Sequence, residues 1–132
     1  MSVHARAPVP APILLIEDEP SVIAFLRAAL ERRGYSVEDA ASGAEGLERL
    51  NNGRYTGVIS DIRMPGSVNG AEVHAWIQRN KPELSARIIL ISGDTANSDT
   101  QALLAQSGTP CIEKPFRVQQ LLTVVERTFG KP

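Results

Sequence analysis

Four short polar clusters each close an apolar run: Glu17-Asp18-Glu19, Asp61, Ser92-Gly93 and Glu113-Lys114-Pro115. Carboxylates a few ångströms apart repel, and without a counter-ion some of them hold protons. A hard divalent cation with oxygen ligands relieves this. Mg2+ is typically bound by one or two carboxylates together with waters and a phosphate. Lys114 adds a compact cation suited to a phosphoryl oxygen, and Ser92 adds one hydroxyl donor. The backbone amides of Ile62 and Gly93 offer two more donors. Gathered in one place, this set describes a phosphoryl-transfer site with a carboxylate nucleophile that forms an aspartyl-phosphate. Each residue alone also has a plainer reading. Asp18 or Glu19 can cap a helix at Pro20, Asp61 can end a strand, Ser92-Gly93 can be a turn, and Lys114 can be solvated. The chemistry is carried by their joint placement.

The elements that must position them alternate along the chain. Ile13–Ile16 reads as a strand buried on both faces. Pro20 opens a helix that carries Val22, Ile23, Phe25, Leu26 and Leu30 up to Gly34. Tyr35–Ala40 is a second strand, and Ala44, Leu47 and Leu50 mark a short helix ending near Gly53. Gly57–Ser60 is a third strand. Val73, Trp76 and Ile77 lie on a helix stopped near Lys81-Pro82. Arg87–Ser92 is the clearest central strand, and Ala102, Leu103 and Leu104 mark a helix ended at Gly108. Cys111–Glu113 is a very short fifth strand. Val118, Leu121, Leu122 and Val125 form a last helix, with Phe129 docking its end. Five such β-α units imply an α/β fold with a parallel sheet, helices on both faces and right-handed crossovers. Open α/β sheets bind ligands beyond the carboxyl ends of their strands, where the four polar clusters fall.

The chain has 132 residues, one domain's worth, and 42% of them are hydrophobic. A chain of this size buries roughly two-thirds of its unfolded surface. Fourteen basic residues against 15 acidic ones leave a net charge of -1, so the basic surplus of a nucleic-acid reader is missing. No apolar run reaches the ~20 residues of a membrane span. The start has no apolar stretch of a secretory signal, and the default compartment is the cytoplasm. The single cysteine, Cys111, excludes an internal disulfide. Pro8, Pro10 and Pro12 make residues 1–12 an extended arm or linker. The domain proper is expected over residues 13–130.

ILLIEDEP, SDIRMPG, ILISGD and IEKPF, in this order and at suitable separations, resemble the receiver domain of two-component response regulators from about Ile13 to Phe129. The resemblance implies a flavodoxin-like sheet of five parallel strands in the order 2-1-3-4-5, with five helices on both faces. It implies that Asp61 accepts a phosphoryl group from a phosphohistidine on a sensor histidine kinase or a histidine phosphotransfer protein. The implied cofactor is Mg2+, held directly by Asp18, mostly through water by Glu17, and further by Asp61 and the backbone carbonyl of Arg63. Ser92 and Lys114 would contact the phosphoryl group, and the Lys114-Pro115 bond would be cis. Phosphorylation would draw Ser92 inward and alter a face that binds an unknown downstream protein. A homodimer is open, since no residue points to it.

Cys111 and the loop after Asp61 depart from the family pattern, and Glu17 stands for the commoner aspartate while keeping the charge. Cys111 stands where an aromatic residue usually follows Ser92 in the switch. The loop Met64–Gly70 is one residue longer than usual and has Asn69 for an aspartate. In the family, the places of Arg63 and Asp94 border the route of the attacking water, so the resemblance implies that Arg63 shields the phosphoryl group; the plainer reading is an ordinary surface charge pair.

Two other functions compete. A degenerate receiver would bind partners without phosphorylation. A Mg2+-dependent phosphohydrolase of the haloacid-dehalogenase type needs an acid two residues after its nucleophile, and Pro20 follows Asp18 at that distance. A nucleotide-binding site is disfavoured because no glycine-rich loop follows the first strand. The reading is therefore a signalling module, stand-alone or from a hybrid histidine kinase, and not an enzyme acting on a metabolite. His4 and His74 are expected to be exposed, Trp76 packed or half-exposed, and Cys111 a small buried residue. Arg27, Arg32 and Arg33 read as a solvated helix end.

Overall fold

All five expected strands form in the computed structural model, which describes residues 11–66 and 68–132. The elements run β1 Ile13–Ile16, α1 Pro20–Arg32, β2 Val37–Ala40, α2 Gly43–Asn52, β3 Gly57–Asp61, α3 Gly70–Asn80, β4 Ile88–Ser92, α4 Ser98–Ser107, β5 Cys111–Glu113 and α5 Val118–Phe129. A single 3-10 turn, Pro82–Leu84, leads into β4. All strand pairs are parallel, in the order β2-β1-β3-β4-β5. His4 and the Pro-rich arm up to residue 10 lie outside the described residues.

Strand alternation divides the core in two. Ile13 and Leu15 of β1 point to one face, with Leu26, Leu30, Leu121, Val125 and Phe129 from α1 and α5. Leu14 and Ile16 point to the other, with Leu50, Val73 and Ile77 from α2 and α3. Because both faces are covered, strands such as β4 (IILIS) are buried at every position. Phe129 docks as expected: its ring fills the space beside Gly57, where a Cβ would come within 2.4 Å of it.

Several details differ from the sequence reading. β2 begins at Val37, not Tyr35, because Tyr35 belongs to the preceding turn. Its amide donates to the Leu30 carbonyl, and its hydroxyl donates to the Gly130 carbonyl at 2.6 Å. Arg27 is no solvated helix end: it bonds the Asp39 carboxylate at 2.6 Å and the Val37 carbonyl at 3.1 Å, tying α1 to β2. Arg33 pairs with Glu126 of α5. His74 is buried, 5% exposed, with Nε2 3.1 Å from the hydroxyl of Thr109. Cys111 is only half-buried, at the edge of the second core.

Candidate functional site

The strand register brings the four polar clusters together. Ile16 of β1 lies opposite Ser60, Asp61 opposite Ile91, and Ser92 opposite Glu113. So β1, β3, β4 and β5 end level, and the residues at or just past their ends meet. Glu17 and Asp61 are 1% and 6% exposed, and Ser92 is 2% exposed.

Lys114 is the hub. Its ammonium donates to Asp61 Oδ2 at 2.9 Å and to Glu17 Oε1 at 3.0 Å, and lies 3.6 Å from Glu19 Oε1. Its backbone N–H donates to the Ser92 carbonyl at 2.8 Å, which fixes it against the end of β4. The Lys114-Pro115 bond is cis, as expected. Burial works against the ammonium, but the bonds to Asp61 and Glu17 outweigh it and hold its pKa above the ordinary lysine value. Burial pushes the Glu17 carboxyl up. The hydrogen bonds from Lys114 and from the Glu19 amide pull it back only in part.

Glu17, Glu19 and Asp61 each present a carboxylate oxygen, and these oxygens all lie within 4.8 Å of one another. Hard anionic oxygens at that spacing fit a divalent cation of the Mg2+ type, and Lys114 supplies counter-charge beside them. Glu19 is the member that sequence reasoning missed. Its place in the acidic triplet is the available signal, but a cap on the helix at Pro20 accounts for Asp18 or Glu19 equally well. No side chain caps α1; the Glu19 amide donates instead to Glu17 Oε2 at 3.1 Å, which orients that carboxylate. Asp18 is half-buried and is not one of the three converging carboxylates.

The loop after β3 differs in one donor. The Ile62 amide is not free for a ligand, because pairing with β4 continues one residue further and it donates to the Ile91 carbonyl at 2.9 Å. The amide that reaches Asp61 is that of Arg63, which donates to Oδ1 at 3.3 Å. Gly70 closes the loop on the end of β3 itself. Its amide donates to the Ile62 carbonyl at 2.8 Å, and a Cβ there would lie 2.6 Å from the Asp61 carbonyl oxygen. Asn69 caps α3 in a reciprocal pair with Glu72, so this departure from the family loop is structural. Arg63 and Asp94 form an exposed ion pair at 3.7 Å across the mouth of the site.

Residues 13–126 match the family model of the response regulator receiver domain. The chain belongs to this family. It is a receiver domain of two-component signalling, with the strand order the resemblance implied. Among curated relatives, this receiver is 33% identical over 123 residues to the sensor kinase CckA of Brucella abortus (strain 2308) and covers 92% of itself but 13% of that protein. It is 33% identical over 117 residues to the transcriptional regulatory protein GlrR of Escherichia coli (strain K12), covering 89% of itself and 26% of the relative. It thus spans a small part of the longer proteins it matches. Among solved structures, a CheY-like receiver from Methanospirillum hungatei JF-1 superposes with a TM-score of 0.82 at 24% identity, covering 92% and 94% of the two chains. The receiver of a sensor histidine kinase from Pseudomonas aeruginosa PAO1 superposes with a TM-score of 0.80 at 25% identity, covering 93% and 100%. That structure has a magnesium ion coordinated in its active-site cleft. Among the described residues, no helix is long and apolar enough to cross a membrane.

Proposed function

We propose that Asp61 accepts a phosphoryl group from a phosphohistidine on a partner kinase or phosphotransfer protein, and that the phosphorylated domain presents an altered protein-binding face. The observation that carries this is the Lys114 ammonium held between Asp61 and Glu17. A cation there is ready to meet a transferred phosphoryl oxygen. A carboxylate oxygen of Asp61 attacks phosphorus; the new O–P bond forms as the P–N bond breaks, and its electron pair returns to the imidazole nitrogen. Lys114 then exchanges its bond to Asp61 for one to a phosphoryl oxygen, and the Ser92 hydroxyl donates to another.

Glu17, Asp18, Asp61 and the Arg63 carbonyl would hold Mg2+, with Glu19 near enough to take part. The bound cation would offset negative charge on the transferring group. The neighbour that holds magnesium in its cleft supports this, as does the convergence of Glu17, Glu19 and Asp61. Arg63 and Asp94 screen the outer side of the acceptor and so govern access of the hydrolysing water. In the cell the domain works in the cytoplasm beside its kinase.

Phosphoramidate, which donates through the same P–N bond type, tests this reading. With Mg2+ it should give an acyl-phosphate signal in phosphorus NMR that hydroxylamine removes. If the folded protein shows no such signal, Asp61 is not an acceptor, and the phosphorylation-independent binding module is the better reading.

A further inference from the structure

Ser92 ends β4, and the loop that follows it, residues 93–97, folds back on it. The Asp94 amide donates to the Ser92 hydroxyl oxygen at 3.0 Å. Two side-chain ties then join this loop to the neighbouring elements on opposite sides of β4. Toward β3, Asp94 meets Arg63 at 3.7 Å with both side chains more than half exposed, and such a pair contributes little. Toward β5, the Thr95 hydroxyl donates to the Glu113 carboxylate. This contact is exposed as well, so what sets it apart is its placement, closing the loop onto the strand paired with β4.

The second tie is geometrically closed. Ser92 and Glu113 are register partners on β4 and β5, and the next residue, Lys114, bonds the Ser92 carbonyl. From Ser92 the chain advances three residues to Thr95, which returns to the side chain opposite its starting point. Beyond the loop, Asn97 Oδ1 accepts from the amides of Asp99 and Thr100 in the first turn of α4. In α4 the one buried side chain is Thr100, while Leu103 and Leu104 are only partly covered.

The geometry points to the Thr95–Glu113 hydrogen bond as a latch that holds the 93–97 loop, and through it the Ser92 hydroxyl, in the unphosphorylated arrangement. Thr95 and Glu113 are positioning residues; neither touches the acceptor carboxylate. When the Ser92 hydroxyl turns to a phosphoryl group on Asp61, the Asp94 amide loses its acceptor and the loop shifts. Thr95 then leaves Glu113. A tie made in only one of two states biases the equilibrium toward that state by its own free energy. The inference rests on the phosphoacceptor reading above.

The test is titration of the protein with beryllium fluoride in the presence of Mg2+, followed by calorimetry or amide NMR, with Thr95→Val, Thr95→Ser, Glu113→Ala and the parent protein side by side. Thr95→Val should bind about three- to tenfold more tightly than the parent, the shift one hydrogen bond supplies. Glu113→Ala breaks the same bond from the other side and should match it, while Thr95→Ser, which keeps the hydroxyl, should bind like the parent. Unchanged or weaker binding by Thr95→Val and Glu113→Ala overturns the latch and leaves the phosphoacceptor reading standing. Tighter binding by Thr95→Ser equal to that of Thr95→Val also overturns it, because the hydroxyl would then not matter. Failure of the folded parent to bind beryllium fluoride at all overturns the phosphoacceptor reading, and the latch with it.

Discussion

The Lys114 ammonium lies 2.9 Å from Asp61 Oδ2, although the two residues are 53 positions apart in the chain. The contact exists because β3 and β5 end level on either side of β4, so a short strand of three residues, Cys111–Glu113, delivers the lysine to Asp61. The same ammonium is the main partner of Glu17, a carboxylate 1% exposed.

Lys114→Ala removes that shared counter-charge. Mg2+ binding should survive largely intact, because the oxygen ligands remain. The phosphoryl-dependent change should be weakened, since nothing replaces the cation proposed to meet the transferred group. NMR spectra with and without beryllium fluoride, both in Mg2+, check this: the spectra of the variant should differ far less than those of the parent.

Asp18→Ala should lose Mg2+ affinity and phosphorylation together. Calorimetric titration with Mg2+ alone reads the first, and phosphoramidate labelling the second. Normal Mg2+ binding by this variant would remove Asp18 from the ligand set and leave Glu17, Glu19 and Asp61 to hold the ion.

Gly70→Ala should destabilise the domain by about 1–3 kcal/mol, the usual cost of overpacking. The added Cβ would meet backbone, the Asp61 carbonyl oxygen at 2.6 Å and the Ile62 Cα at 2.7 Å, and backbone cannot swing aside. Because the clash falls on the acceptor strand, phosphorylation should slow as well. Denaturant unfolding reads the first effect and labelling rate the second.

His74 predicts a pH dependence of stability. Burial lowers its pKa below the usual 6.5, so the folded state prefers the neutral ring. Above about pH 6.5 both folded and unfolded chains are neutral there and the contribution is complete. As the pH falls below that value, the unfolded chain binds the proton first and stability drops. Between about pH 7 and pH 5.5 the melting temperature of the parent should fall more steeply than that of His74→Gln. Parallel curves would show that His74 does not carry the effect.

Asp61, Ser92 and Lys114 are legible in the sequence because each ends or follows an apolar run, and an α/β sheet carries such positions to one edge. Glu19 is not, because an acidic residue before a helix proline has the same pattern whether it caps the helix or faces the site. His74 is misjudged because it lies beside the Val73 and Ile77 stripe of α3, and its partner Thr109 is 35 residues away. The Ile62 amide is misassigned for a related reason: no local feature shows that strand pairing runs one residue past Asp61. Arg27 looks solvated until β2 supplies Asp39. In each case the deciding contact is made by another element.

Intact-mass measurement after incubation with acetyl phosphate and Mg2+ tests the central claim most directly, with Asp61→Asn and a metal-free sample alongside. The account predicts one added phosphoryl group on the parent protein and none in either control. An adduct of the same yield on folded Asp61→Asn would contradict it, because the acceptor would then lie elsewhere.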